Sequence, residues 1–301
     1  PTGQTPIGVY KELIALYKVG KVDFKNVITF NMDEYVGLSK DNIQSYHYFM
    51  KNNLFNHINI PKNNINLLDG CASNLDNECK EYEAKIKKAG IDLFLAGIGS
   101  DGHIAFNVRG SDHYSTTRLT AVNYETQAAA AGDLGGIEVS RKRLVITIGL
   151  GTITYNPEVC ALIIAAGEAK AHIIADAIQS PQDIQFPATA LHKVPNARFY
   201  ITLGAAKHLE ERQLKLISQH KKLSNETAEK IIIDIAVKQQ KRIVDLTKSD
   251  LLNDRFGTIL LKRRSESTEE LTEKIHNILI SKIERGTRPR YWPWWELRLV
   301  A

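Results

Sequence analysis

Hydrophobic positions along the first 200 residues alternate between two periods. Short apolar or β-branched runs occur at Asn26–Phe30, Ile91–Ala96, Leu144–Ile148, Val159–Ile164 and Arg198–Thr202. Continuous apolar runs of this length predict strands buried on both faces of a parallel sheet. Between them, Asp76–Lys88 and Glu168–Gln179 carry apolar residues at helical spacing. That alternation predicts a doubly wound α/β fold. Ligands in such folds sit beyond the C-terminal ends of the strands, so the residues that follow each strand are the ones to search.

The last third has a different pattern. Leu209–His220, Thr227–Val244 and Thr268–Ile283 predict amphipathic helices rich in Lys, Glu and Ile. The tail Arg288–Trp295 then holds all three tryptophans of the chain. This divides the 301 residues into an α/β domain over 1–208, a helical extension over 209–285 and an atypical Trp-rich tail over 286–301. The tail reads as appended or foreign sequence, with an aromatic docking segment as the alternative. Length alone predicts about two domains. No internal repeat or low-complexity tract is present.

Composition narrows the class. Hydrophobic residues make up 43% and charged residues 24%, the balance of a globular protein. No apolar stretch approaches the ~18 residues of a membrane span, and the N-terminus has no secretory pattern. Three scattered cysteines, Cys71, Cys79 and Cys160, make neither a disulfide framework nor a zinc knuckle. These features predict reduced thiols and a cytoplasmic protein. The net charge is +5, but residues 201–301 carry 20 Lys and Arg against 14 Asp and Glu, so the basic excess lies wholly in the last third. There the basic residues alternate with acids at helical spacing, as on a solvated helix face. That argues against a nucleic-acid partner.

Four segments carry candidate chemistry. Pro1-Thr2-Gly3-Gln4-Thr5-Pro6 is a Gly/Thr loop opening a helix, with Thr5 as N-cap and Pro6 in the first turn. Free N–H groups at a helix start suit a phosphate, and a plain capped loop is the alternative. Asp33 and Glu34 follow a strand end, either as general bases or as caps. Gly97-Ile-Gly-Ser-Asp-Gly-His103 leaves the strongest strand, and Asp101 stands two residues from His103, where a carboxylate can orient an imidazole. No second His or Cys lies at ligand spacing, so no metal is expected. Lys170 opens a helix after Gly167, as an anion partner or a surface lysine.

Thr29–Leu38 (TFNMDEYVGL), residues 97–107 (GIGSDGHIAFN) and the opening PTGQTP resemble the glucosamine-6-phosphate deaminase (isomerase) family, in family order and spacing. The resemblance covers roughly residues 1–210. It implies a three-layer modified Rossmann arrangement, mostly parallel, with a helical C-terminal extension. It also implies hydrolytic deamination and isomerisation of glucosamine 6-phosphate to fructose 6-phosphate and ammonia, in amino-sugar catabolism, with no metal or organic cofactor. Gly3, Thr5 and Lys170 would bind the substrate phosphate. Asp33 would move a proton between C2 and C1, and His103 with Asp101 would open the sugar ring. Ser111 and Arg118 match positions of an allosteric sugar-phosphate site, although Thr120 replaces a lysine there and no activation is expected. The expected partner is a small-molecule sugar phosphate, with a homo-oligomer as a candidate assembly.

Three departures from the family pattern stand out. Val108 occupies the position of a glutamate that completes the aspartate–histidine unit, and Gly132 occupies that of a phosphate-binding arginine. The chain as given starts at the phosphate loop, which implies an open sheet edge where the family has a further strand. A catalytically impaired sugar-phosphate-binding relative is therefore the alternative function. A sister isomerase or phosphogluconolactonase is a third reading, opposed by the TFNMDEYVGL segment.

Overall fold

The computed structural model describes residues 1–121 and 144–285. Gly132 and the Trp-rich tail lie outside them. The chain divides into a compact unit over Pro1–Leu209 and a second that begins at Glu210.

The first unit opens with α1 (Ile7–Lys18), whose Tyr10, Leu13, Ile14 and Tyr17 share one face. That face packs with Phe24, Met50, Leu54, Phe55 and Ile60 in a small core of its own. Strands β1 (Thr29–Phe30) and β2 (Asp33–Tyr35) follow, then α2 (Tyr46–Asn53). Ser45 caps α2 by accepting from the Tyr48 amide at 3.1 Å. Beyond β3 (Ile65–Asn66), α3 (Leu75–Ala89) starts at an Asn74 cap and ends at Gly90 with φ +81°, the left-handed stop that favours glycine. The rest is β4 (Leu93–Gly97), β5 (Arg118–Ala121), β6 (Leu144–Thr147), α4 (Leu150–Thr154), β7 (Cys160–Ala165), α5 (Ala171–Gln179) and β8 (Ala197–Ile201).

The protein is α/β with mostly parallel pairing. β1 pairs with β3, and β4 with β7 and β7 with β8, all parallel. The third sheet corrects one expectation. Leu144–Ile148 reads as a strand of a parallel sheet, but β6 runs antiparallel between β2 and β5. Its Val145, Ile146 and Thr147 are buried as the run implies. Continuous hydrophobicity reports burial on both faces and carries no information on strand direction. Among the described residues, β1 and β4 each pair on one side only; Ile28, just before β1, is 52% exposed and Leu93, the first residue of β4, is 59% exposed. The main core joins Ile86 and Phe94 to Ile146, Ile163, Ile174 and Leu191.

A buried carboxylate ties α3 to the start of β5. Glu83 accepts from the Thr117 amide at 3.0 Å and from the hydroxyls of Thr117 and Thr152 at 2.6 and 2.8 Å. Charge-assisted hydrogen bonds of this kind fix the loop leading into Arg118.

The second unit is helical: α6 (Glu210–Ser218), α7 (Asn225–Gln239), α8 (Lys248–Leu252), α9 (Arg255–Arg263) and α10 (Thr268–Glu284). Its core holds Ile232, Leu251, Leu260, Leu271, Ile275 and Leu279. Thr247 with Asp250 and Ser267 with Glu270 form capping boxes that start α8 and α10. A Glu229–Lys282 ion pair at 2.6 Å joins α7 to α10. Among the described residues, no helix is long and apolar enough to cross a membrane.

Replacing Glu83 tests the first unit's packing. Glu83→Ala leaves three donors without their acceptor and is expected to lower unfolding free energy by about 3 kcal/mol. Urea denaturation reads this directly.

Candidate active site

Asp33 and Glu34 are neighbours on β2, so their side chains leave opposite faces. Glu34 is the cap. Its carboxylate accepts from the amides of Tyr35, Tyr46 and His47 at 2.8, 3.1 and 3.1 Å, the last two at the start of α2. Burial pushes its pKa up while those amides pull it down. Asp33 has a different setting. It is buried, and burial pushes its pKa up to about 7, with the Glu34 carboxylate adding to the push. A carboxyl poised there can take up and release a proton near neutrality.

Across β2–β6, Asp33 faces Thr147, and across β6–β5 the same Thr147 faces Arg118. The Thr147 hydroxyl accepts from the Phe106 amide at 3.1 Å. This brings the loop after β4 against β6, the strand that pairs with the Asp33 strand. In that loop the His103 ring lies parallel to Phe106, and its Nδ1 is 2.5 Å from Asp101 Oδ1. The loop needs Gly99: a Cβ there would lie 2.1 Å from the imidazole. Gly102 turns the chain with φ +84°.

Lys170 comes to the same place. Its ammonium donates to the Ile98 carbonyl at 2.9 Å; burial lowers its pKa while Asp101 opposes that shift. It is half-buried, not a surface lysine. The opening loop meets the same strand exit. Gly3 has φ +79°, and a Cβ on Gly97 would meet Thr5 Oγ1 at 3.5 Å. The expected Thr5 cap is not formed. Pro6 is the N-cap residue of α1 and makes no side-chain hydrogen bond. With Pro6 setting the helix entry, Thr5 lies beside the end of β4.

Tyr46, not singled out from sequence, also belongs here. Burial pushes its phenol pKa well up, Tyr35 and Asp33 reinforce the shift, and the hydroxyl bonds to Tyr35 and Thr2. Its position after Ser45, the α2 cap, was the available signal. Among the described residues, no group of three His, Cys, Asp or Glu could hold a metal.

Residues 1–199 match the family described as glucosamine-6-phosphate isomerases/6-phosphogluconolactonase. The chain belongs to this family. It is 41% identical over 220 residues to a glucosamine-6-phosphate deaminase of Cronobacter sakazakii, covering 73% of this chain and 82% of that one. A glucosamine-6-phosphate deaminase of Borreliella burgdorferi is 48% identical over 198 residues, covering 65% and 73%. A solved structure described as a monomeric glucosamine-6-phosphate deaminase superposes with a TM-score of 0.65 at 34% identity, over 68% of this chain and 85% of that one. A Trypanosoma cruzi 6-phosphogluconolactonase, at 20% identity and TM-score 0.52 over 69% and 82%, shares the fold.

Two further family-matched positions are joined here. Arg118 Nη1 donates to Asn107 Oδ1 at 2.8 Å and to Ser115 Oγ at 3.2 Å, and its Nη2 reaches Ser111 Oγ at 3.4 Å. Thr120 turns its hydroxyl to the Ala121 carbonyl. Val108, half-buried after Asn107, offers its backbone carbonyl to the Ser111 amide, and its side chain has no polar atom. Gly132 lies outside the described residues.

The Asp33 environment has a measurable signature. The folded protein holds this proton more tightly than the unfolded chain, so the group's contribution to stability falls as pH rises from 3.8 to about 7. Asp33→Asn is therefore expected to be more stable than wild type by over about 1 kcal/mol at pH 8, with the gap closing towards pH 4. Thermal unfolding across pH checks this.

Proposed function

We propose that this family member converts glucosamine 6-phosphate and water to fructose 6-phosphate and ammonia. The observation that carries the reading is a convergence on adjoining loops: a buried carboxyl with pKa about 7, an Asp101–His103 pair at 2.5 Å and a lysine beside a Gly/Thr loop. The identity to deaminases in the 41–48% range supports the substrate.

In this reading the phosphate rests on the Gly3–Thr5 loop and Lys170. His103, oriented by Asp101, moves the proton between the ring oxygen and the C1 hydroxyl, which opens the sugar. Asp33 then removes the C2 proton of the open aldehyde. The electron pair moves to the C1 carbonyl oxygen, which is protonated, giving an enolamine. Return of a proton to C1 leaves an imine at C2. Water adds to that carbon and ammonia leaves with the proton it needs. Each carbon-bound proton passes through one carboxyl, for which a pKa near the working pH suits both directions. Ser111 and Arg118 stand outside this chemistry as a candidate effector pair. The acid-base scheme asks for no metal or organic cofactor.

A second reading, a catalytically impaired sugar-phosphate-binding relative, has Val108 and Gly132 as its support. Valine cannot stabilise an imidazolium, and a lysine elsewhere does not replace a bidentate guanidinium.

Ammonia release from glucosamine 6-phosphate separates the two. The deaminase reading expects release that Asp33→Asn lowers by about 10³-fold and His103→Gln by about 10²-fold or more. Turnover should rise as pH passes through about 7, where Asp33 loses its proton. Folded protein that binds the sugar phosphate but releases no ammonia supports the second reading. Installing the carboxylate with Val108→Glu tests the same point from the other side. A gain of about 10²-fold or more is expected if the missing acid limits ring opening; an unchanged rate removes Val108 as the limiting position.

A further inference from the structure

The loop carrying His103 is held by a side chain that has no part in the chemistry above. Asn107 is 0% exposed. Its Nδ2 donates to the carbonyls of Ile104 at 3.0 Å and Ile148 at 2.9 Å. Its Oδ1 accepts from Arg118 at 2.8 Å. A guanidinium only donates, so the amide oxygen must face it, and both amide hydrogens then point at carbonyls. The orientation of this amide is thereby fixed.

Each end of the contact reaches a segment of the site. Ile104 follows His103 and precedes Ala105, whose φ of +54° lies in the region that side chains rarely adopt. Such a conformation persists where its surroundings over-determine it, and the Asn107 backbone amide also bonds the Ile104 carbonyl, at 3.1 Å. Ile148, at the other end, donates its amide to the Met32 carbonyl at 2.8 Å, one residue before Asp33. A single buried amide thus ties the His103 turn to Ile148, whose own amide holds the residue before Asp33.

We propose that Asn107 is a positioning residue that sets the placement of the Asp101–His103 pair relative to Asp33, and that Arg118 locks its amide in the spanning orientation. The reaction it serves rests on the function proposed above; the bridge itself does not. The two proton-transfer groups act on adjacent atoms of one sugar, so their relative position controls both steps. A displacement of about 1 Å in such a constellation costs up to about 10²-fold.

The variants are Asn107→Asp, which keeps the acceptor for Arg118 and loses both donations, and the milder Asn107→Ser, whose hydroxyl reaches at most one carbonyl. Asn156→Ala is the control, because Asn156 also donates to a backbone carbonyl, that of Ile91 at 3.1 Å, near the start of β4. For Asn107→Asp, kcat for ammonia release is expected to fall about 10- to 100-fold with KM within about threefold. Asn107→Ser should lie between it and wild type, and Asn156→Ala should keep wild-type kcat. The second readout is the imidazole ¹H–¹⁵N signal of His103 in protein labelled at histidine. It should be sharp in wild type and in Asn156→Ala, and shifted or broadened in both Asn107 variants. Should Asn107→Asp not fold, Asn107→Ser carries both readouts. Should the wild type release no ammonia, the proposed function fails and the His103 signal alone decides the bridge. A folded Asn107 variant with wild-type kcat, or with an unchanged His103 signal, overturns the proposal, as does an equal kcat loss in Asn156→Ala.

Discussion

The pairing of β2 with β6 is the constraint on which the site depends. It sets Asp33 opposite Thr147, and Thr147 in turn holds the Phe106 amide through its hydroxyl. Register in a strand has period two, so a slip of one residue would turn Asp33 to the α2 side and Glu34 into the site. The antiparallel pairing therefore decides which of the two adjacent acids faces the proposed site. It also brings the turn after β4 to the end of β6, where Asn107 and Thr147 both find partners.

Environment then separates the two acids. Glu34 is satisfied by three amides and serves α2. Asp33 is buried with a pKa near 7. One motif thus supplies both a carboxyl that caps a helix and a buried carboxyl that titrates near neutrality. The α2 helix that Glu34 caps carries Tyr46, whose hydroxyl links Thr2 of the opening loop to the Asp33 neighbourhood. Lys170 and the Gly97–Gly99 turn complete the enclosure from the β4 and β7 ends, where ligands of parallel α/β sheets bind.

Much of this was legible from residue patterns. Each of the five apolar runs holds a strand, although Asn26–Phe30 pairs only at its last two residues. Asp33, Asp101, His103 and Lys170 stand out as candidates because strand exits are few and carry conspicuous polar groups. What stayed hidden depends on tertiary pairing. The antiparallel direction of β6 has no mark in Leu144–Ile148. The division of labour between Asp33 and Glu34 depends on which face each meets. Thr5 looked like a cap because Thr-Pro often begins a helix, yet here Pro6 sets the entry. Asn107 belongs to the 97–107 motif, but its bridging contacts stay hidden until its three partners are in place.

The family assignment rests on residues 1–199 and the fold; the chemistry proposed for this site rests on one carboxyl handling one proton. Glucosamine 6-phosphate bearing deuterium at C2 tests that most directly, with the fructose 6-phosphate product read by NMR at C1. Transfer through Asp33 expects part of the deuterium to appear at C1, with the remainder exchanged to solvent. Folded protein that yields neither labelled product nor deuterium release to water would contradict the account.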